Sequence, residues 1–409
     1  AHEKYGSGQW ARLVSPAVKL ARDGFAAPPG LARSLASALR SFERYPASVQ
    51  AYSKNGVAYA EGEVIRLPDL ARTLERIEKQ GRDGFYKGET ARLLAEEMKR
   101  GGGLITEEDL ARYQAKERAP VRGTYRGYDI ISMPPPSSGG IAMIEMLNVL
   151  EGYDLRSFGH NSAKHVHHVA EAMRRAFLDR ARFVADPDFA QVPIDKLISK
   201  QYGQQLRATI DPTKATPSAP ADVTLASESM ETTHYSIVDK SGMAVSVTYT
   251  LEAGYGSKIV VPGAGFLLNN EMGDFNARPG LTTATGLIGT EPNLARPEQR
   301  MLSSMTPSII ARDGKLVAIV GSPGGRTIIN TVLQVTSNII DFGMNIQQAG
   351  DVARVRHVGS ATPTGIAADG GGTVSVEPTV PAEVQEELSR RGHEVEVAED
   401  GGGFGGYQG

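Results

Sequence analysis

The chain has 409 residues, 40% hydrophobic and 22% charged, with no cysteine and a formal net charge of −3 at pH 7. It is long and apolar enough to bury a large core, and the absence of cysteine excludes disulfides, thiolate zinc sites and a cysteine nucleophile. No global basic field marks it for nucleic acid or an anionic membrane, and no apolar run approaches the ~18–20 residues that span a bilayer.

The first residues, from Ala1, carry no charged region followed by an apolar stretch, so no signal peptide is visible. Neither that start nor the glycine-rich finish at Gly409 reads as a natural terminus. The first half is mostly helical. Trp10, Leu13, Val14, Ala17 and Leu20 fall at helical spacing, with Gly24 as a stop. Similar patterns cover residues 31–44, 67–80 and 89–100. Thr106 and Asp109 form a capping-box pattern that opens a short helix with Leu110 and Tyr113. From Val121 to Met133 the pattern is strand-like, and long helices follow at 139–151 and 161–185.

Residues 212–231 are polar and rich in Pro and Ser, an exposed connection. After it the period changes to two. Thr233–Asp239 and Met243–Thr250 read as strands joined through Lys240, Ser241 and Gly242. A second hairpin joins Ser308–Ile310 to Leu316–Val320 around Asp313 and Gly314. Helices at 327–341 and 382–391 complete the chain. Helices, then strands, then helices predict antiparallel sheets covered by helical layers.

The most informative stretch is Glu231–Asp239, a polar connection that runs directly into a strand beginning with Thr232 and Thr233. Threonine is a good strand former, so this alone describes an ordinary strand. Five further motifs stand in order around it: Pro134–Gly140, Val247–Thr250, Leu267–Asn270, Leu302–Met305 and Gly321–Gly325. Together they cover essentially the whole chain and resemble the γ-glutamyltransferases, N-terminal-nucleophile hydrolases made as one chain that cuts itself. The resemblance implies an α+β fold, a four-layer αββα sandwich. Residues 1–231 would supply the end of a large subunit and 232–409 a small catalytic subunit. Both would contribute to one domain and remain a heterodimer after cleavage between Glu231 and Thr232.

A threonine hydroxyl is a poor nucleophile until an adjacent base activates it. Cutting before Thr232 would create an α-amine, with a reference pKa of ~7.7–8.0, as one candidate base. The resemblance assigns Thr250 a hydrogen bond to the nucleophile. It assigns Gly324 and Gly325 the oxyanion hole, where amides just ahead of a helix favour negative charge. Ser303 and Ser304 would bind the substrate α-carboxylate, and Asp274 would pair with its α-ammonium. Glu252 and Glu271 stand where members carry Asn, Gln or an acid, which suggests strong selection for a cation. The implied donors are glutathione and other γ-glutamyl compounds, the acceptors water, amino acids or peptides. No metal or organic cofactor is implied, and the enzyme would be periplasmic or secreted.

Several features depart from that pattern or carry simpler readings. The family's carboxylate-binding arginine would lie upstream of residue 1, and the usual C-terminal end is also missing, so the chain reads as shortened at both ends. In the lid-like stretch 278–302, Thr285 replaces a pocket-closing Tyr. His165, His167 and His168 lack an acidic third ligand and do not read as a metal site; His234 alternates away from Thr232 and reads as structural. The glycine clusters at 101–103, 370–372 and 401–403 lack phosphate-loop context and read as turns. The competing functions are a related acylase for glutaryl-β-lactams and an inactive homologue serving as a binding remnant.

Overall fold

The computed structural model describes residues 1–217, 231–275, 291–357 and 373–398, with Gly406 and Gly409. It divides into two compact units, one of residues 1–117 with 255–270, the other of residues 118–254 with 271–409. The boundary expected at 231 comes from the cleavage that the resemblance implies; the compact units divide the chain elsewhere.

In the first unit, helices Trp10–Asp23, Pro29–Phe42, Pro68–Gln80 and Gly88–Gly101 carry the expected periodicity. The capping box at Thr106 forms: Asp109 N–H donates to Thr106 Oγ1 at 3.2 Å, and Thr106 N–H donates to the Asp109 carboxylate at 2.9 Å. Gly102 ends its helix in a left-handed C-cap, φ 73°. Residues 255–270 complete the unit's core. The Tyr255 ring meets Phe42 edge-on at 5.3 Å, while Val261 and Ala264 are buried beside Leu94.

The second unit is built on four antiparallel strands in the order Val121–Tyr125, Tyr128–Ser132, Ser308–Arg312, Lys315–Val320. The strand-like stretch 121–133 is thus a hairpin. Its turn, Arg126–Gly127, and the turn at Asp313–Gly314 have positive φ at both central residues, which suits tight hairpins in a twisted sheet. Helix Gly139–Leu150 packs on the first two strands. Every one of its residues is buried, Glu145 and Asn148 included, in a helix that is otherwise apolar on all faces. Helix Ala163–Phe183 covers it from behind, and Thr327–Ile340 packs beside it. The hairpin Thr233–Val238/Ala244–Tyr249 packs against the last two strands of the sheet.

A smaller sheet departs from expectation. Thr373–Val376 pairs antiparallel with Val355–Arg356 but parallel with Glu394–Val397. Parallel neighbours need a crossover, and the expected helix near 382–391, observed as Ala382–Arg390, supplies it. The flanking strands are only four residues each, too short for a period-two signal to register.

Candidate active site

Pairing of Thr233 with Tyr249 sets Thr232 and Thr250 one step beyond the paired ends of the hairpin. Both hydroxyls converge on one atom, the carbonyl oxygen of Glu231. Thr232 Oγ1 donates to it at 2.7 Å and Thr250 Oγ1 at 2.8 Å. Glu252 N–H in turn donates to Thr250 Oγ1 at 2.9 Å, fixing that hydroxyl's direction. His234, next on the strand but one, is buried and bonds the hydroxyls of Thr248 (2.7 Å) and Ser236 (3.1 Å). Burial holds its imidazole neutral, with a pKa lowered to about 4. Its ring occupies the space a side chain at residue 321 would need: a Cβ on Gly321 would lie 2.0 Å from it.

Gly324 and Gly325 connect the sheet to helix Thr327–Ile340. Their φ values are 126° and 54°, both positive, and the first is a conformation only glycine adopts at ordinary cost. Thr327 closes the turn, its N–H and hydroxyl donating to the Gly324 carbonyl at 3.0 and 2.6 Å.

One pocket is lined by Glu231, Thr232, Thr250, Glu252, Asp274, Ser303, Ser304 and Gly325, with Met305 and Ile328. The sequence-selected residues thus meet in one place, with two qualifications. Gly324 adjoins the lining residue Gly325, and Glu271 lies on the same single turn as Asp274 (Glu271–Asp274) but outside the lining. Thr285, with residues 278–290 of the lid-like stretch, lies outside the described residues, as do the glycine clusters at 370–372 and 401–403.

The serine pair is secured from below by residues that spacing alone did not single out. Ser138 gives its N–H (2.8 Å) and hydroxyl (2.7 Å) to the Ser303 carbonyl, and Ser137 Oγ donates to the Met305 carbonyl at 2.7 Å. Arg180, buried on helix Ala163–Phe183, donates to Ser138 Oγ at 2.7 Å and to Ser304 Oγ at 3.0 Å. Asp186, just past that helix and fully buried, accepts Arg300 N–H at 2.9 Å and pairs with Arg118 at 3.0 Å. Ser137 and Ser138 stand in the motif Pro134–Gly140, but nothing in the sequence around Arg180 or Asp186 separates them from solvated charges.

The three helix histidines are absorbed into packing. His167 bonds His393 at 2.8 Å and the Asp211 carbonyl at 2.8 Å; His168 bonds the Lys164 carbonyl at 2.7 Å. Burial lowers the His165 pKa to about 3. Among the described residues no group of three or more His, Asp or Glu side chains is placed to hold a metal.

A family model described as gamma-glutamyltranspeptidase matches residues 1–409. A glutathione hydrolase proenzyme of Pseudomonas sp. (strain A14) is 46% identical over 361 residues, 87% of this chain and 62% of that protein. The glutathione hydrolase proenzyme of Escherichia coli (strain K12) is 45% identical over the same shares. The chain therefore spans 62% of the length of these curated relatives. Among solved structures, a cephalosporin acylase from Bacillus halodurans superposes with a TM-score of 0.85 at 28% identity, covering 99% of this chain and 70% of that one. This gives the α+β fold of the four-layer αββα kind.

Proposed function

Because this chain belongs to the gamma-glutamyltranspeptidase family, we propose that it is the core of a self-cleaving γ-glutamyl transferase and hydrolase with Thr232 as nucleophile. The carrying observation is the convergence of the Thr232 and Thr250 hydroxyls on the Glu231 carbonyl, inside a pocket that also holds Asp274, Ser303 and Ser304.

Self-cleavage begins with attack of Thr232 Oγ1 on the Glu231 carbonyl carbon. Negative charge then develops on the oxygen to which Thr250 already donates, where a fixed donor is worth most. Collapse expels the Thr232 nitrogen, which takes up the proton that Oγ1 loses, and leaves an ester on Oγ1. Water hydrolyses that ester, producing the Glu231 carboxylate and a free Thr232 α-amine. In turnover this amine takes the proton from Oγ1 as the hydroxyl attacks a γ-glutamyl amide. The amide nitrogen leaves protonated, and the γ-glutamyl group is held as a Thr232 ester. Gly324 and Gly325 N–H groups stabilise the oxyanion. Water then releases glutamate, or an amino acid or peptide amine accepts the group.

Substrate is recognised at its amino-acid end. Ser303 and Ser304 hydroxyls bind the α-carboxylate, and Asp274 binds the α-ammonium with Glu252 adding negative charge beside it. Glu271 acts at most through the turn it shares with Asp274. Glutathione and related γ-glutamyl compounds are the donors, in line with the names of the relatives. The two halves stay together as a large and a small subunit, and the enzyme works in the periplasm or outside the cell. No helix among the described residues is long and apolar enough to cross a membrane.

The second reading, a glutaryl-β-lactam acylase, draws on the fold shared with the cephalosporin acylase. Asp274 argues against it, since a glutaryl group has no ammonium to pair with a buried acid. Turnover of γ-glutamyl and glutaryl anilides by the full-length protein separates the two. A higher kcat/KM for γ-glutamyl anilide is expected; preference for the glutaryl donor overturns the proposal.

A further inference from the structure

The carboxylate and ammonium of an amino acid share one carbon, so a site that reads both must hold its two recognition groups at a fixed separation. Here those groups lie on segments far apart in sequence, the turn Glu271–Asp274 and the loop around Ser303. One buried side chain bonds both segments. Asn293, 1% exposed, donates from Nδ2 to the Asp274 carbonyl at 2.8 Å and accepts the Leu302 N–H on Oδ1 at 3.0 Å. Its amide works as an inserted peptide unit, one donor and one acceptor, joining the residue that carries the acid to the residue immediately before Ser303. The turn that carries it is itself tied, because Gln299 Nε2 donates to the Pro292 carbonyl at 2.8 Å.

We propose that Asn293 is a positioning residue that sets the distance between the ammonium-reading Asp274 and the carboxylate-reading Ser303–Ser304, and thereby the specificity for an α-amino-acid end. The proposal rests on the γ-glutamyl reading above. No other side-chain chemistry serves both contacts at this length. Aspartate keeps the acceptor for Leu302 N–H but puts an oxygen against the Asp274 carbonyl. Alanine keeps neither bond. Burial makes the bracket effective, since water does not compete for either partner.

The experiment compares full-length wild type with Asn293→Asp and Asn293→Ala, using γ-glutamyl anilide and glutaryl anilide, which differ only in the ammonium. Self-cleavage is followed by intact mass. With Asn293→Asp, KM for the γ-glutamyl donor should rise about 10-fold, the scale of one lost buried hydrogen bond. KM for the glutaryl donor should move less than about 2-fold on the same scale. With Asn293→Ala both KM values should rise, and kcat should fall less than KM rises. A merely structural residue would instead lower kcat for both donors in proportion to the active fraction lost. Equal KM shifts for the two donors in Asn293→Asp, unchanged KM in both variants, or failure of both variants to cleave themselves overturns the inference. Wild type that does not turn over γ-glutamyl anilide overturns the proposed function instead, so the two failures are distinct.

Discussion

The hairpin that carries Thr232 and Thr250 and the loop that carries Ser303 and Ser304 line the same pocket, yet they are secured in different ways. The hairpin has two strands, and its apolar residues Tyr235, Ile237, Val245 and Tyr249 are exposed while polar His234 turns inward. Its key hydroxyls are held by the Glu231 carbonyl, a group that the proposed cleavage would release. The serine loop is buried, and Ser137, Ser138, Arg180, Asp186 and Asn293 fix it from three sides. The contrast fits a division of labour. Recognition gains from groups fixed before substrate arrives, whereas a wall that first cuts itself and then turns over substrate must rearrange between the two tasks.

The largest effects should fall on the hairpin. Thr232→Ala should abolish both self-cleavage and turnover, a loss of at least about 10⁴-fold. Intact mass spectrometry checks it, and a cleaved variant would sink the mechanism. Thr250→Ala removes one donor from the Glu231 oxygen and should slow self-cleavage about 10²–10³-fold, the cost of one oxyanion donor. Thr250→Ser should recover most of that rate in a time course of subunit formation; a serine variant as slow as alanine would mean the methyl group, not the hydroxyl, matters.

On the recognition side the loss should be selective. Asp274→Ala should lower kcat/KM for γ-glutamyl anilide about 100-fold, the value of a charge-assisted bond of roughly 2–3 kcal/mol. Glutaryl anilide should change by less than about 3-fold on that scale. Parallel losses for the two donors would erase the distinction between the walls.

The parts legible in the sequence were those encoded locally. Periodicity located Trp10–Asp23, Gly139–Leu150 and Ala163–Phe183, and Asp313–Gly314 announced its hairpin turn. Thr232 itself was bland, an ordinary strand residue until five other motifs stood around it. Arg180, Asp186 and Asn293 escaped because their partners lie 124, 114 and 9 residues away and their burial is a tertiary fact. A buried Arg on a helix otherwise reads as a solvated charge. The parallel pairing of Thr373–Val376 with Glu394–Val397 escaped for a related reason: four-residue strands carry too few alternations to declare a partner.

Stability should divide the walls as well. Asp186→Ala removes the acceptor of Arg300 N–H and one partner of Arg118, which keeps Asp188 at 2.8 Å. With the Arg118 charge still paired, the cost should be about 2–3 kcal/mol rather than that of a fully stranded ion. Urea unfolding measures it, and a variant within about 0.5 kcal/mol of wild type would show that the loop does not depend on this anchor.

The last effect is confined to acid pH and belongs to the hairpin. Burial lowers the His234 pKa to about 4, against an ordinary value of about 6.5. Between these two values the unfolded chain binds a proton that the folded chain refuses, so stability falls as pH drops from about 6.5 and levels off below about 4. The slope from this one group is at most about 1.4 kcal/mol per pH unit. His234→Gln can still bond Thr248 but cannot be protonated, so its stability should decline less steeply than wild type across that window. The other buried histidines, His165, His167, His168, His357 and His393, titrate alike in both proteins and cancel from the difference. Urea midpoints at pH 7, 5.5 and 4.5 measure the gap. Curves that stay parallel would mean that the imidazole on the nucleophile's strand takes up its proton in the folded state as readily as in the unfolded one, and that the hairpin is open to water at its buried face.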